Sequence, residues 1–377
     1  MKLALFDTAS LDRRVSGVVE RIGQAGTELV VRRAGSAETR TAISPKDLGQ
    51  SFDAILDAWA VERLLRDLSG VGHRIVQGGP RLLAHARVDD EILDELRENQ
   101  SLDPEHLPGE IALMERMARR FPGLPQVACF DSAFHRDLPR VARLLPIPCR
   151  YLDSGIRRLG FHGLSYTFLL DELHRLAADQ AGGRVILAHL GSGSSLAAVR
   201  GGSPIDTSMG FTPAGGLVMG TRPGDLDPGL LVHLMRMDGM ATEAMERSLN
   251  TEYGLAGVSA TTSDMRSLLE RRETDPRAAD AVDLYVYQAR KWVGAFAAAL
   301  GGLDTLVFSG GIGERSAEIR REICTGLGYL GLRLDERLNA IHASVVSTGD
   351  SAVTVRVIPT DEEIVIARSA RKILEDL

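Results

Sequence analysis

Four polar residues stand at turns beside apolar stretches: Arg74 after Gly72-His73, Asp131 in CFDSAFH, His162 in GFHGLSY and Arg222 in GTRPGD. Two arginines, a histidine and a carboxylate are the groups that phosphoryl transfer to an anionic acceptor needs. The cations offset the charge that accumulates as two anions meet, and the carboxylate orients or helps deprotonate a reacting group. Each residue alone has an ordinary structural reading: a loop arginine as an ion-paired surface group, Asp131 as a turn or cap residue, His162 as a satisfied core histidine. Their conjunction is what points to chemistry.

Such residues need loops that bring backbone close to a ligand, and glycine marks where those loops are. The 39 glycines concentrate in GHRIVQGG (72–79), GRVILAHLGSGSSLAAVRGG (183–202), FTPAGGLVMGTRPGD (211–225) and FSGGIGER (308–315). Within the second stretch, Val185 to Leu190 reads as a buried strand, Gly191 to Ser194 as a tight polar turn, Ser195 to Val199 as the returning strand and Gly201-Gly202 as the next turn. A turn of small residues offers backbone N–H groups and serine hydroxyls to phosphate oxygens; a plain hairpin turn has the same pattern. Further on, Val282, Tyr285, Val286, Ala289, Trp292, Val293, Phe296 and Leu300 recur at helical steps and mark a core-facing stripe. A short buried strand, Thr305 to Phe308, then leads into SGGIGER, a place where a nucleotide can lie against backbone. Neither G-x-x-x-x-G-K-[ST] nor G-x-G-x-x-G is completed anywhere, which disfavours a P-loop NTPase and a dinucleotide-binding Rossmann enzyme.

Strand-like and helix-like patterns alternate throughout, as in an α/β protein, and 377 residues allow two or three domains with a cleft between lobes. The 44 basic and 51 acidic residues leave a net charge of -7. That balance removes the broad electrostatic reason for binding nucleic acid or an anionic membrane, so an anionic ligand must be met by a local cationic site. Cys129, Cys149 and Cys324 are far apart and odd in number, which suits core thiols in a reducing compartment rather than disulfides or a zinc site. Asp7, Asp12, Arg13 and Arg14 precede any apolar run of signal-peptide length, and no stretch reaches the ~18 apolar residues of a membrane span. A cytoplasmic protein is expected.

The stretches GHRIVQGG, FDSAFH, GFHGLSY, HLGSGSS, DTSMGFTPAGGLVMGTRPGDLDP, TTSDMR, FSGGIGERS and IPTDEEIVIAR follow one another in this order. In these the sequence resembles the acetate kinase family over nearly its whole length. The resemblance implies an α/β, two-lobed actin-like (ribonuclease H-like) ATPase fold, with a duplicated βββαβαβα core and an interdomain cleft. Residues 1–131 with 363–377 would form the acceptor-side domain, and 132–362 the nucleotide-binding domain. It implies reversible in-line transfer from ATP to acetate, giving acetyl phosphate and ADP, with Mg²⁺ or Mn²⁺ as the metal, in a homodimer. Arg74 and Arg222 match the arginines that flank the carboxylate and the transferring phosphoryl group, Asp131 the catalytic aspartate, and His162 the histidine that stabilises the phosphoryl oxygens. His106, in PEHLPGE, matches a further active-site histidine. Val76, Phe161 and Pro213 fall on the pocket around the acceptor's methyl group. ATP-holding segments match His189, Leu190, Gly191, Ser192 and Gly193; Asp264, Met265 and Arg266; and Gly311, Ile312, Gly313, Glu314 and Arg315. Lys2 matches a lysine that follows the family's first phosphate loop, and Glu362 the glutamate that positions the metal.

The sequence departs from the family pattern at four positions. Ser192 replaces an asparagine, Gly215 a glutamate and Tyr166 a histidine, while Glu105 stands where the acceptor pocket is apolar. A carboxylate there would repel an acceptor carboxylate, so Glu105 is expected to point away or the acceptor to differ from acetate. Family members also open with a strand and an N-x-G-S-S-S-L-K loop, whereas here MKLALFD aligns with the lysine and second strand after it. The expectation is that this first strand and loop are missing and that the natural protein is longer. A propionate or butyrate kinase is one alternative. A catalytically impaired nucleotide-binding homologue is another, favoured by the departures and opposed by the retained Arg74, Asp131, His162, Arg222 and Glu362. A sugar or polyol kinase fits less well, because two arginines suit a small anion.

Overall fold

A computed structural model gives the fold of residues 1–20, 22, 26–33, 35–61 and 64–376. The chain divides into two units: Met1–Ala133 with Asp361–Leu377 (unit 1), and Phe134–Thr360 (unit 2).

In unit 1, strands β1 (Lys2–Phe6), β2 (Arg13–Val19), β3 (Glu28–Arg33) and β4 (Thr39–Ala42) form an antiparallel sheet in that order. Val15 and Val19 of β2 and Leu29 and Val31 of β3 alternate onto one face. There they meet Phe52, Ile55, Leu56 and Trp59, which recur at helical spacing on the helix Leu48–Val61. Strands β5 (Val71–Ile75), β6 (Ala86–Arg87) and β7 (Gln126–Phe130) make a second sheet, ordered β5-β7-β6, with β5 parallel to β7. Every residue of β7 is buried, as in a central strand covered on both faces. Strands β1 and β5 both line a cavity of about 580 Å³, to which Ile366, Ala370 and Leu374 of the C-terminal helix Glu362–Glu375 also contribute.

In unit 2 the corresponding strands make one sheet. Strands β8 (Arg184–Leu190), β9 (Ser194–Arg200), β10 (Ser203–Thr207), β11 (Thr305–Ser309) and β12 (Thr354–Val357) are ordered β10-β9-β8-β11-β12. Strand β8 is antiparallel to β9 and parallel to β11, and so joins the meander to the parallel pair. The period of two sorts its side chains. Ile186, Ala188, Leu190, Leu196, Ala198, Leu306 and Phe308 enter the core on one face, and Val185, Leu187, Ala197, Val199 and Val307 that on the other. The larger core is closed by the helix Pro276–Leu300. Asp275 caps it by accepting from the backbone N–H groups of Arg277 and Ala278, and Gly301 ends it at φ +72°. The cap explains why the helix begins before the apolar stripe does. The core-thiol reading holds for Cys129 and Cys324 but not for Cys149, which is exposed at the head of the short helix Cys149–Asp153. Its neighbours Arg150 and Asp153 keep that helix solvated, and apolar flanking residues alone do not guarantee burial.

Candidate active site

The polar residues of unit 1 gather at the carboxyl ends of its parallel strands. The register pairs Arg74 with Cys129 and Ile75 with Phe130, so Arg74, near the end of β5, meets Asp131 just beyond β7. Nε and Nη2 of Arg74 both donate to Oδ2 of Asp131, at 3.0 and 2.6 Å. The Asp131 side chain is 1% exposed and that of Arg74 40%, so the face turned outward is the cation. Burial works against the guanidinium charge, but Asp131, Glu362 and Glu110 outweigh it and raise its pKa. Val76, the next residue but one, is buried and donates its backbone N–H to Oε2 of Glu110 at 3.1 Å.

His106 precedes the helix Leu107–Arg120. Its Nδ1 lies 2.9 Å from Oδ1 of Asp103, which also accepts from the His106 backbone, and this partner raises the imidazole pKa against the opposing effect of burial. Glu110, in the first turn of the same helix, is pushed up to about 7 by burial. Glu105 is exposed. Glu362 opens the C-terminal helix, and its neighbours Asp361 and Glu363 are both paired with Arg13. Lys2 is exposed on β1 and lines the same cavity as Arg74. Asp103 and Glu110 are absent from the sequence reading. A carboxylate in a helix's first turn is ordinarily there for the backbone dipole, and only burial distinguishes Glu110 from that majority.

In unit 2 the chain turns sharply at His162, with φ +58°, and enters the helix Gly163–Leu176. His162 stacks on His189 with 4.3 Å between ring centroids, and its Nδ1 is 2.8 Å from Oγ of Ser195. The same hydroxyl is bonded to the buried Tyr166 hydroxyl, so the tyrosine found in place of the family's histidine completes a Tyr166–Ser195–His162 chain. His189 is held through Nδ1 by Ser165, which also bonds Thr360.

The turn Gly191 to Gly193 is the meeting point of the unit. A Cβ at Gly193 would lie 2.8 Å from Nη2 of Arg222 and 3.2 Å from Nε2 of His162, so both side chains sit directly on this backbone. Arg222 is anchored by donating from Nη1 to the carbonyl of Pro213 at 2.7 Å. Gly220 N donates to Ser192 O, and Gly220 also lies against Ser263, which brings the Asp264 segment to the turn. On the other side Gly191 approaches the backbone of Gly311. Gly310, at φ +75°, has to be glycine, because a Cβ would come within 2.6 Å of Leu190 O.

Several of the expected ATP-binding residues offer backbone only. Leu190 and Met265 point into the core, and Gly313 is buried. The carboxylate of Glu314 accepts from the backbone N–H groups of Gly310 and Thr360, at 3.0 and 3.1 Å, and so ties loops together. Asp264 caps the helix Met265–Arg271, while Arg266 is exposed. Phe161 is buried, its carbonyl accepting from Nε2 of His135. A Cβ at Gly215 would meet only ordinary contacts, 3.8 Å from Oδ1 of Asp225 and from the Gly210 nitrogen, so nothing steric requires glycine there. Ser195 was missed as a candidate because a hydroxyl inside an apolar strand carries no chemical signature until its partner is known.

The model of the Acetokinase family matches residues 1–368. The acetate kinase of Rhodopseudomonas palustris is 42% identical over 357 residues, covering 93% of this chain and 89% of the relative. The propionate kinase of Citrobacter rodentium is 38% identical over 379 residues, covering 99% and 94%. Among solved structures, the acetate kinase of Porphyromonas gingivalis superposes with a TM-score of 0.87 at 32% identity, covering 99% of this chain and 96% of that one. A propionate kinase of Francisella tularensis gives 0.91 at 31%, covering 98% and 96%. The fold is the expected α/β actin-like ATPase class. Matched along nearly its whole length, the chain belongs to the acetokinase family of phosphotransferases that use a carboxyl group as acceptor.

Proposed function

We propose that the chain transfers the γ-phosphoryl group of ATP to acetate, reversibly and by direct in-line displacement, giving acetyl phosphate and ADP. The observation that carries this reading is the arrangement at Gly193, where a backbone turn of small residues has the guanidinium of Arg222 and the imidazole of His162 packed on it. Backbone N–H groups with a guanidinium and an imidazole suit the oxygens of a transferring phosphoryl group, whose charge they offset without reorganising.

In this reading unit 2 is the nucleotide-binding domain, holding ATP on His189 to Gly193, Asp264 to Arg266 and Gly311 to Arg315. Unit 1 is the acceptor-side domain. Arg74 holds the acceptor carboxylate, Asp131 fixes the guanidinium, Val76 lies on the side of the methyl group, and His106 adds a further polar group. In-line transfer brings two anions together, so their repulsion has to be lowered before any bond changes.

Glu362 is the carboxylate that would hold Mg²⁺ or Mn²⁺. It fits, since Mg²⁺ takes hard oxygen donors and is commonly held by one or two carboxylates with substrate phosphates and water. The ion would neutralise charge on the phosphoryl oxygens. A homodimer and a cytoplasmic location belong to the same reading and rest on the family resemblance; among the described residues, no helix is long and apolar enough to cross a membrane.

Propionate is the second acceptor to consider, because propionate kinases stand among the similar proteins at comparable identity. ADP release measured with acetate, propionate and butyrate ranks the acceptors. No turnover with any of the three would overturn the proposal.

A further inference from the structure

We propose that Glu110 is a positioning and selectivity residue of the acceptor half-site: its carboxyl holds the Val76 backbone beside Arg74, and only its neutral form leaves Arg74 able to receive an anionic acceptor. The inference rests on the reading that Arg74 binds the acceptor carboxylate.

The geometry is a crowd of carboxylates around one guanidinium. Arg74, on β5, is acted on by Asp131 at the end of β7, by Glu362 at the start of the C-terminal helix, and by Glu110. Glu110 and Arg74 line the same cavity, and Oε2 of Glu110 is fixed by the N–H of Val76 at 3.1 Å. All three carboxylates act on this one guanidinium, and an incoming acceptor brings a further negative charge to it. His106, at the head of Glu110's own helix, is the other cation acting on Glu110.

Of the three, Glu110 is the one placed to give up its charge. Asp131 is locked by two donors from Arg74. Glu110 accepts a single backbone bond, which either protonation state can satisfy, so a proton on the other oxygen costs no contact. Burial, the largest influence on it, favours the neutral acid and pushes it up to about 7 against the pull of Arg74, the Val76 N–H and His106, with Asp131 acting in the same direction as burial. Acceptor binding is then linked to a proton on Glu110. Below pH 7 the acid is mostly in place; above it the fraction of competent sites falls about tenfold per pH unit.

The test is the KM for acetate between pH 6 and 8.5 at saturating ATP, in the wild type, Glu110→Gln and Glu110→Ala. Glutamine keeps an oxygen for the Val76 N–H and carries no charge. From pH 6 to 8 the wild-type KM is expected to rise roughly tenfold, while the E110Q KM stays flat and low and the E110A KM is raised at every pH. A purely structural role leaves the pH slope of E110Q equal to that of the wild type, and so does titration of His106 or of the nucleotide; that outcome overturns the proposal. Calorimetry of acetate binding at pH 7.5 in buffers of different ionisation enthalpy gives a readout without turnover. The wild type is expected to take up roughly three-quarters of a proton per acetate, and E110Q none. Proton uptake without acetyl phosphate formation refutes the reaction reading and keeps this one, whereas turnover without uptake does the reverse.

Discussion

Nδ1 of His162 lies 2.8 Å from Oγ of Ser195, and that contact leaves Nε2 beside the Gly193 turn. A non-glycine residue at φ +58° costs about 1–3 kcal/mol, which persists only where neighbours fix the conformation. Ser195, the stack on His189 and the bond from Tyr166 to Ser195 are those neighbours. Ser195→Ala is therefore expected to lower kcat by roughly five- to thirtyfold, the equivalent of about 1–2 kcal/mol, and Tyr166→Phe by less. Steady-state kinetics checks this. A rise in KM for ATP with kcat unchanged would mean that the chain orders ground-state binding instead.

Gly193→Ala tests the turn itself. The added methyl would stand 2.8 Å from Nη2 of Arg222 and 3.2 Å from Nε2 of His162, so one or both side chains must shift. Displacements of about 1 Å at a reacting centre cost on the order of 100-fold, so kcat is expected to fall by at least tenfold. The turn is at the surface of the sheet, and the melting temperature should change by no more than a few degrees. A variant with wild-type kcat would show that the contacts at Gly193 are incidental.

The sequence made the backbone of this site more legible than its electrostatics. The apolar run of Val185 to Leu190 and the small residues of the turn were sufficient to place β8, β9 and the loop between them, because burial on two faces and the demand for tight turns are written in local composition. The single sheet of unit 2 and the two sheets of unit 1 are another matter, since strand order is set by contacts far apart in sequence. Glu110 and Asp103 were invisible for a related reason. What makes Glu110 unusual is burial beside Arg74, across 36 residues of chain, whereas the letters PEHLPGE describe an ordinary helix start. Cys149 shows the converse error, where residue type suggested burial and the fold left the thiol outside.

Arg74 and Asp131 should separate stability from catalysis. Arg74→Ala leaves the carboxylate of Asp131, 1% exposed, without its two donors. A fully buried pair broken in this way costs several kcal/mol. Arg74 is 40% exposed, so water replaces part of the loss and about 1–3 kcal/mol is expected. Arg74→Lys keeps a charge near Asp131 but replaces a two-donor planar group by a point charge. It should retain most of the stability while kcat/KM for acetate falls roughly 100-fold. Thermal melts with acetate kinetics on both variants decide it, and equal losses of melting temperature in Lys and Ala variants would contradict the argument.

His135 makes the stability of unit 2 sensitive to acid. Its ring is 2% exposed, Nε2 donates to the carbonyl of Phe161 at 3.1 Å, and among the described residues buried Nδ1 has no hydrogen-bond partner. Burial, with Arg158 nearby adding to it, lowers the pKa to about 4 from 6.5, although the Phe161 carbonyl pulls the other way. The folded pKa lies below the unfolded one, so the unfolded chain binds the proton first. The stabilising contribution is complete above pH 6.5 and is lost as pH falls towards 4. At pH 5 the loss is roughly 2 kcal/mol relative to pH 8. Denaturant melts at pH 8 and pH 5 are expected to show this decrease in the wild type and a smaller one in His135→Gln, which cannot take up the proton. Identical pH slopes in the two proteins would assign the acid sensitivity to another group.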